Sequence, residues 1–265
     1  MNRNRRILLA ISFILTVTLA CGMFAAPATL TAVPTSTSVP TATSVPLYQQ
    51  VTLISVPSQE NGQPTSYKIT IQTPTLTGSD DARVKKFNDA TAAIIANAVA
   101  DFKNRLTNLA PAPISVASSF DMRYELVSPP GNIFSIKFQT EGYVSGMAHP
   151  YHLIYSFNYD LEQGKDIAFS DLFLPNADYL GAISQYCVAQ LKTRDVGFSD
   201  IFAQGADPTP DNYKNWNITS DGLMITFDEY QVAPYVAGPQ VVTIPYSELK
   251  SLIDPKGPLE FFIKS

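Results

Sequence analysis

The sequence predicts an α+β fold: antiparallel sheet or sheets packed by two main helices, arranged as two intertwined subdomains. Three observations support this. Apolar residues alternate at Tyr67, Ile69 and Ile71 and again at Leu153, Tyr155, Phe157 and Tyr159, the period of half-buried strands. Two other stretches switch to helical spacing, with Val84, Phe87, Ile94, Ala98, Phe102 and Leu106 on one face, then Leu180, Ile183, Cys187 and Leu191 on another. Pro129-Pro130-Gly131 and Asp221-Gly222 lie between strand-like runs, as hairpin turns require.

The chain of 265 residues opens on Arg3, Arg5 and Arg6, followed over residues 7–20 by an unbroken apolar and small-residue run. That run is too short to span a bilayer as a mature helix and suits a secretory leader. Residues 1–20 read as a lipoprotein signal peptide, because Ala20 followed by Cys21 is the small-residue-then-cysteine pattern at which such leaders are cut. Cys21 then becomes a lipid-bearing N-terminus, and several acyl chains hold the protein on the outer face of a bacterial membrane. The alternative is ordinary cleavage near Ala25-Ala26-Pro27. Residues 21–47 are a Pro/Thr/Ser-rich tether whose 27–46 stretch carries no charge. Spaced prolines among small residues favour extended chain at about 3 Å per residue, enough to clear lipid headgroups.

Removing the leader arginines takes the formal charge from -5 to -8. With no Lys/Arg cluster, a nucleic-acid partner is excluded, and basic proteins or cations are the ligands such a surface attracts. Of two cysteines, lipidation of Cys21 leaves Cys187 unpaired, a small buried residue on its helix face.

After the first strand, "TPTLTGSDD" breaks the chain and Ser79 or Asp80 caps the first long helix, which Pro111 and Pro113 end. Residues 120–127 and 132–144 form a hairpin. Gly164 makes a turn, Ile167 and Phe169 start a return strand, and the second helix covers about 177–192. A Pro/Asp/Asn loop at 207–212, a hairpin tipped by Asp221-Gly222, a strand at 241–244 and a short helix begun by Ser247 complete the map.

Four spaced motifs, "GMAHP" (146–150), "YDLEQGKDIAFSDLF" (159–173), "ITFDEYQVAPYVAG" (225–238) and "VVTIPYSEL" (241–249), stand in one order. Over about residues 134–252 the chain resembles the extracellular domain of lysozyme-binding anti-sigma factors of the RsiV type. The preceding segment, "YKITIQTPTLTGSDDARVKKFNDATAAI", resembles the domain found before it in such proteins and at the N-terminus of the peptidoglycan deacetylase PdaC. The resemblance implies subdomains at 48–135 and 136–265 and a binding role towards a lysozyme-like protein or peptidoglycan. Met147 replaces the family's second glycine, and Glu229 stands where proline is common. Neither a sigma-binding region nor a deacetylase catalytic domain accompanies these motifs, so signalling to a sigma factor and deacetylation are not expected.

Both histidines, His149 and His152, lie in "SGMAHPYH". A zinc site needs three or four convergent ligands, and Pro150 breaks the helix that would align these two. A hydrolase reading takes Ser145 as nucleophile, His149 as base and Asp228 as orienter, although "SGMAH" is not a nucleophile elbow. A structural reading gives Gly146 a turn and lets His149 hydrogen-bond a neighbouring loop. His149, Tyr151, Tyr230 and Tyr235 are the candidate binding residues, since tyrosine offers wide amphipathic contact at small entropic cost. Asp171, Asp178 and Asp228 suit caps or loops, and Asn217-Ile218-Thr219 has glycosylation spacing with no expected consequence. No cofactor is expected. The sequence therefore predicts a noncatalytic, lipid-anchored envelope binding module, with an esterase-like hydrolase or a passive structural lipoprotein as alternatives.

Overall fold

A computed structural model describes residues 45–63, 66–108 and 116–263. The leader, Cys21, most of the tether, Pro111 and Pro113 lie outside the described residues. A short helix α1 (Leu47–Gln50) leads into β1 (Thr52–Gly62), which hairpins to β2 (Tyr67–Thr77). Helix α2 (Ala82–Asn108) follows, then β3 (Ser118–Leu126), β4 (Ile133–Tyr143), β5 (Tyr151–Asp160) and the two-residue β6 (Lys165–Asp166). These six strands form one sheet in sequence order. Helix α3 (Tyr179–Lys192) precedes a second, three-stranded sheet of β7 (Trp216–Ile218), β8 (Leu223–Phe227) and β9 (Gln240–Ile244), and short helices α4 (Tyr246–Leu249) and α5 (Glu260–Ile263) close the described chain. The fold is α+β, as the two apolar periodicities predict.

One pairing departs from an all-antiparallel sheet. β2 and β3 run parallel over Tyr67–Ile71 and Ser118–Met122, because α2 carries the chain across the sheet between them. β2 also continues through the supposed breaker to Thr77, and Leu76 is buried there. Pro74 is tolerated because β3 pairs only the first part of β2, leaving that side of the strand open. The strand ends at Gly78, whose φ of +99° and closeness to the Gln50 carbonyl both exclude a side chain.

The helix cap falls at Asp81, one residue after Asp80 and two after Ser79. Asp81 accepts the Arg83 N–H at 2.8 Å and pairs with the Arg83 guanidinium, while Ser79 Oγ takes the Asp81 N–H. Those bonds from Arg83 hold the Asp81 carboxyl down to about 2. On α2, Val84, Phe87, Ala98 and Phe102 are buried, whereas Ile94 and Leu106 are only partly so. Thr91 and Ile95 take the centre instead. A threonine fits because its Oγ donates to carbonyls of Pro74 and Asn88, and the neighbouring Asn88 amide bonds both backbone groups of Leu76.

The expected return strand from Ile167 and Phe169 is also corrected. Lys165 and Asp166 pair with β5 and the Ile167 N–H donates to the Asn158 carbonyl at 2.8 Å, but Phe169 lies in the 3-10 turn that follows, in which Asp171 accepts the Ala168 N–H and Phe169 stacks on Trp216 at 4.8 Å. There the Phe169 ring also meets Phe173 and Tyr179 edge-on, joining the second core. Helix α3 begins at Tyr179 with Asp178 as its cap, and it packs Ile183, Cys187 and Leu191 on the second sheet. One core therefore lies between α2 and the six-stranded sheet, and another between α3 and the three-stranded sheet. Position 135/136 falls inside β4, which pairs with β3 on one side and β5 on the other.

Candidate functional site

Residues 144–150 link β4 to β5. Gly146 has φ +98°, and the Met147 N–H closes a turn on the Val144 carbonyl. The Ser145 N–H donates to Ser118 Oγ at 2.9 Å. His149 Nδ1 lies 2.7 Å from the Pro150 carbonyl, and because a carbonyl only accepts, that nitrogen carries the proton. The Tyr235 hydroxyl donates to the same oxygen at 3.0 Å, and the His149 and Tyr235 rings lie 4.1 Å apart, tilted by 35°. Pro150 thus ties the turn to the loop after β8.

That loop, residues 228–239, is fixed at several points. Gln231 accepts the Asp228 N–H and donates to the carbonyls of Gly205 and Asn212. Val232 and Ala233 are buried, Gln240 bonds the Ala237 and Gly238 carbonyls, and Gly238 has φ +64°. Tyr230 adopts φ +63°, costly for a bulky L-residue and sustained only where neighbours enforce it. Its ring stacks on Tyr235 at 5.6 Å. The anchored loop exposes Tyr230 at 55% and Val236 at 92%.

The loop also holds β5. His152 Nδ1 sits 2.5 Å from Glu229 Oε1, and the His152 backbone N–H donates to Glu229 Oε2 at 3.2 Å. The Glu229 side chain is only 9% exposed, so imidazole and amide together satisfy a largely buried carboxylate. His152 Nε2 lies 3.9 Å from Glu141, its cross-strand partner. Arg123, Gln139, His152 and Ile154 on the sheet, with Glu229 and the Tyr235–Pro239 run, line an open cleft of about 560 Å³. A larger hollow of about 780 Å³, between the 129–133 turn and the C-terminal segment, contains neither histidine nor any of the candidate catalytic or binding residues; these gather at the smaller one.

The geometry brings His149, Tyr230 and Tyr235 together and leaves Tyr151 apart. Strand alternation sends Tyr151 towards α2, where its ring lies over Gly142 and under the Arg105 guanidinium at 4.6 Å, and burial raises its hydroxyl pKa. Asp228 accepts from Asn215 and the Ile154 N–H, with Lys214 3.5 Å away. Among the described residues no hydrogen bond joins Ser145, His149 and Asp228. The carboxylate-held imidazole is His152. Sequence reasoning missed its partner, and the one available signal was Glu229 in a place where proline is common. Asn217 is fully buried with its amide bonded, so its glycosylation spacing is without consequence.

Residues 170–247 match the model of a protein family of unknown function, DUF3298. A solved member of that family from Bacteroides fragilis shares the fold, with a TM-score of 0.63 at 16% identity over 81% of this chain and 97% of that one. The peptidoglycan-N-acetylmuramic acid deacetylase PdaC of Bacillus subtilis is 29% identical over 138 residues, 51% of this chain and 29% of the relative. An esterase of Mycobacterium tuberculosis is 30% identical over 107 residues, 40% of this chain and 47% of the relative. The chain spans less than half the length of either relative. Among the described residues no helix is long and apolar enough to cross a membrane.

Proposed function

We propose that the protein is an extracytoplasmic binding module of the bacterial cell envelope, lipid-anchored through Cys21, that recognises a lysozyme-like protein or a cell-wall component without chemically altering it. The observation that carries this reading is the 228–239 loop. A segment pinned by Gln231, Glu229 and Gln240 presents Tyr230 and Val236 to solvent beside a cleft, which is the character of a preorganised docking surface. Support comes also from the DUF3298 match and from a relative named for peptidoglycan. The resemblance to lysozyme-binding anti-sigma factors supplies the protein ligand, and the "LAC" motif ending at Cys21 supplies the anchor.

The test is calorimetry of the purified protein against lysozyme and sedimentation with peptidoglycan sacculi. Binding to one of them is expected, and binding to neither overturns the reading. Cys21→Ser is expected to release the protein from the membrane fraction; an unchanged distribution removes the anchor.

A second reading, a secreted esterase, is favoured by the esterase among the relatives and by the His152–Glu229 pair. Turnover of a short-chain chromogenic ester that is lost in His152→Ala would establish it, and loss in His149→Ala instead would restore Ser145, His149 and Asp228 as its machinery. No turnover removes it.

A further inference from the structure

We propose that the cleft beside His152 binds an acetamido-sugar of a glycan strand, with Arg123, Gln139 and His152 addressing its polar groups and the Tyr235–Pro239 edge receiving an apolar sugar face or acetyl methyl. This rests on the binding reading above and narrows it to one ligand chemistry at one site.

Arg123 and Gln139 are register partners on β3 and β4 that reach into the cleft, and neither side chain makes a hydrogen bond or ion pair among the described residues. Each offers several donor or acceptor positions in a plane, the pattern that matches neighbouring hydroxyl and amide groups. Opposite them, Val236 is almost wholly exposed, with Tyr235 and Pro239 beside it. A ligand must therefore be polar along one side and apolar along the other. At about 560 Å³ the cleft falls within the roughly 300–1,000 Å³ typical of small-ligand sites.

Other ligand chemistries fit less well. At the cleft floor β4 is paired on both sides, and the His152 and Ile154 N–H groups of β5 are taken by the Glu229 and Asp228 carboxylates, so an extended peptide finds no free ladder on these two strands. Glu229 is committed to His152, so a cationic group meets the Arg123 charge without an available buried carboxylate. An anion meets Arg123 but also Glu141 beside His152. A neutral polyol with an apolar face avoids both conflicts. The Glu229–His152 contact and the positive-φ Tyr230 hold the two walls before any ligand arrives, so little ordering remains to oppose binding.

The full-length protein is titrated with tetra-N-acetylchitotetraose, followed by calorimetry and amide NMR shifts, with cellotetraose as the sugar lacking acetamido groups. Binding to the acetylated sugar is expected. Gln139→Ala and Arg123→Ala, checked by circular dichroism for an intact fold, are each expected to weaken it by about tenfold, the worth of one hydrogen bond. Lys85→Ala, on the exposed side of α2, should leave it unchanged. Equal affinity for cellotetraose, no binding, or unaltered affinity in both cleft variants overturns the proposal. If lysozyme or sacculi still bind in any of those cases, the docking reading stands and only this site assignment fails.

Discussion

Against α2 the six-stranded sheet presents rings, and against β7 it presents amides and hydroxyls. On the first side Phe87 lies 5.5–5.6 Å from the rings of Phe134, Phe157 and Tyr159, and Phe102 stacks on Phe120 at 5.3 Å. On the second, Ser135 Oγ bonds Asn158 Oδ1 at 2.5 Å and accepts from the Asn217 amide and the Ile218 N–H. Ser156 donates to Asn217 Oδ1, and Asn158 donates to the Trp216 carbonyl. Apolar contact is non-directional and tolerates small slides; a closed set of buried hydrogen bonds admits one register. The side that must be placed accurately carries the polar network, because β7 pairs with β8, and β8 leads directly into the loop that walls the cleft.

The sharpest way to break this contrast is Phe87→Ala, which empties the centre of the ring cluster. It should lower unfolding free energy by about 3–5 kcal/mol, read from urea denaturation. Asn217→Ala should cost about 1–3 kcal/mol by leaving the Ser156 hydroxyl without its acceptor and removing the amide bonds to Ser135 and the Ile136 carbonyl, and the double variant with Ser135→Ala should cost less than the sum. Strict additivity there would mean the polar contacts act singly and fix no register. The second core gives a third comparison, since Cys187 is wholly enclosed and burial pushes its thiol up to about 12. Iodoacetamide near neutral pH should leave it unmodified in the folded protein and label it readily in urea. The smallest effect lies at the start of α2. The Asp81 carboxyl sits below its ordinary value, so its stabilisation is present above the usual carboxylate range and is lost as pH falls towards about 2. The melting-temperature gap between wild type and Asp81→Asn should therefore shrink on acidification from about pH 5.

Much of the fold was legible wherever one face of an element is buried. Residues 153–159 alternate because Tyr155, Phe157 and Tyr159 of β5 face the core under α2, and Ile183, Cys187 and Leu191 recur because α3 covers the second sheet. β1 left no such trace, since nearly all its residues are exposed and an edge strand needs no pattern. Phe169 carried a strand signal that Trp216, distant in sequence, overrode. Thr91 hid its central position because a hydroxyl counts as polar until its carbonyl partners are known. In the cleft, the loop aromatics were visible as a cluster, but His152 and Glu229 are 77 residues apart, and no local spacing encodes their contact.

The sequence by itself determined the fold class, the two helices, the hairpins around Pro129-Pro130-Gly131 and Asp221-Gly222 and the tyrosine-rich loop, because these follow from short-range periodicity and turn chemistry. Only the tertiary structure decided that β2 and β3 run parallel, that Asn217 joins the two sheets, and that His152 rather than His149 meets a carboxylate. Those outcomes depend on which distant groups must share a buried hydrogen bond, and that requirement arises only once the layers have closed.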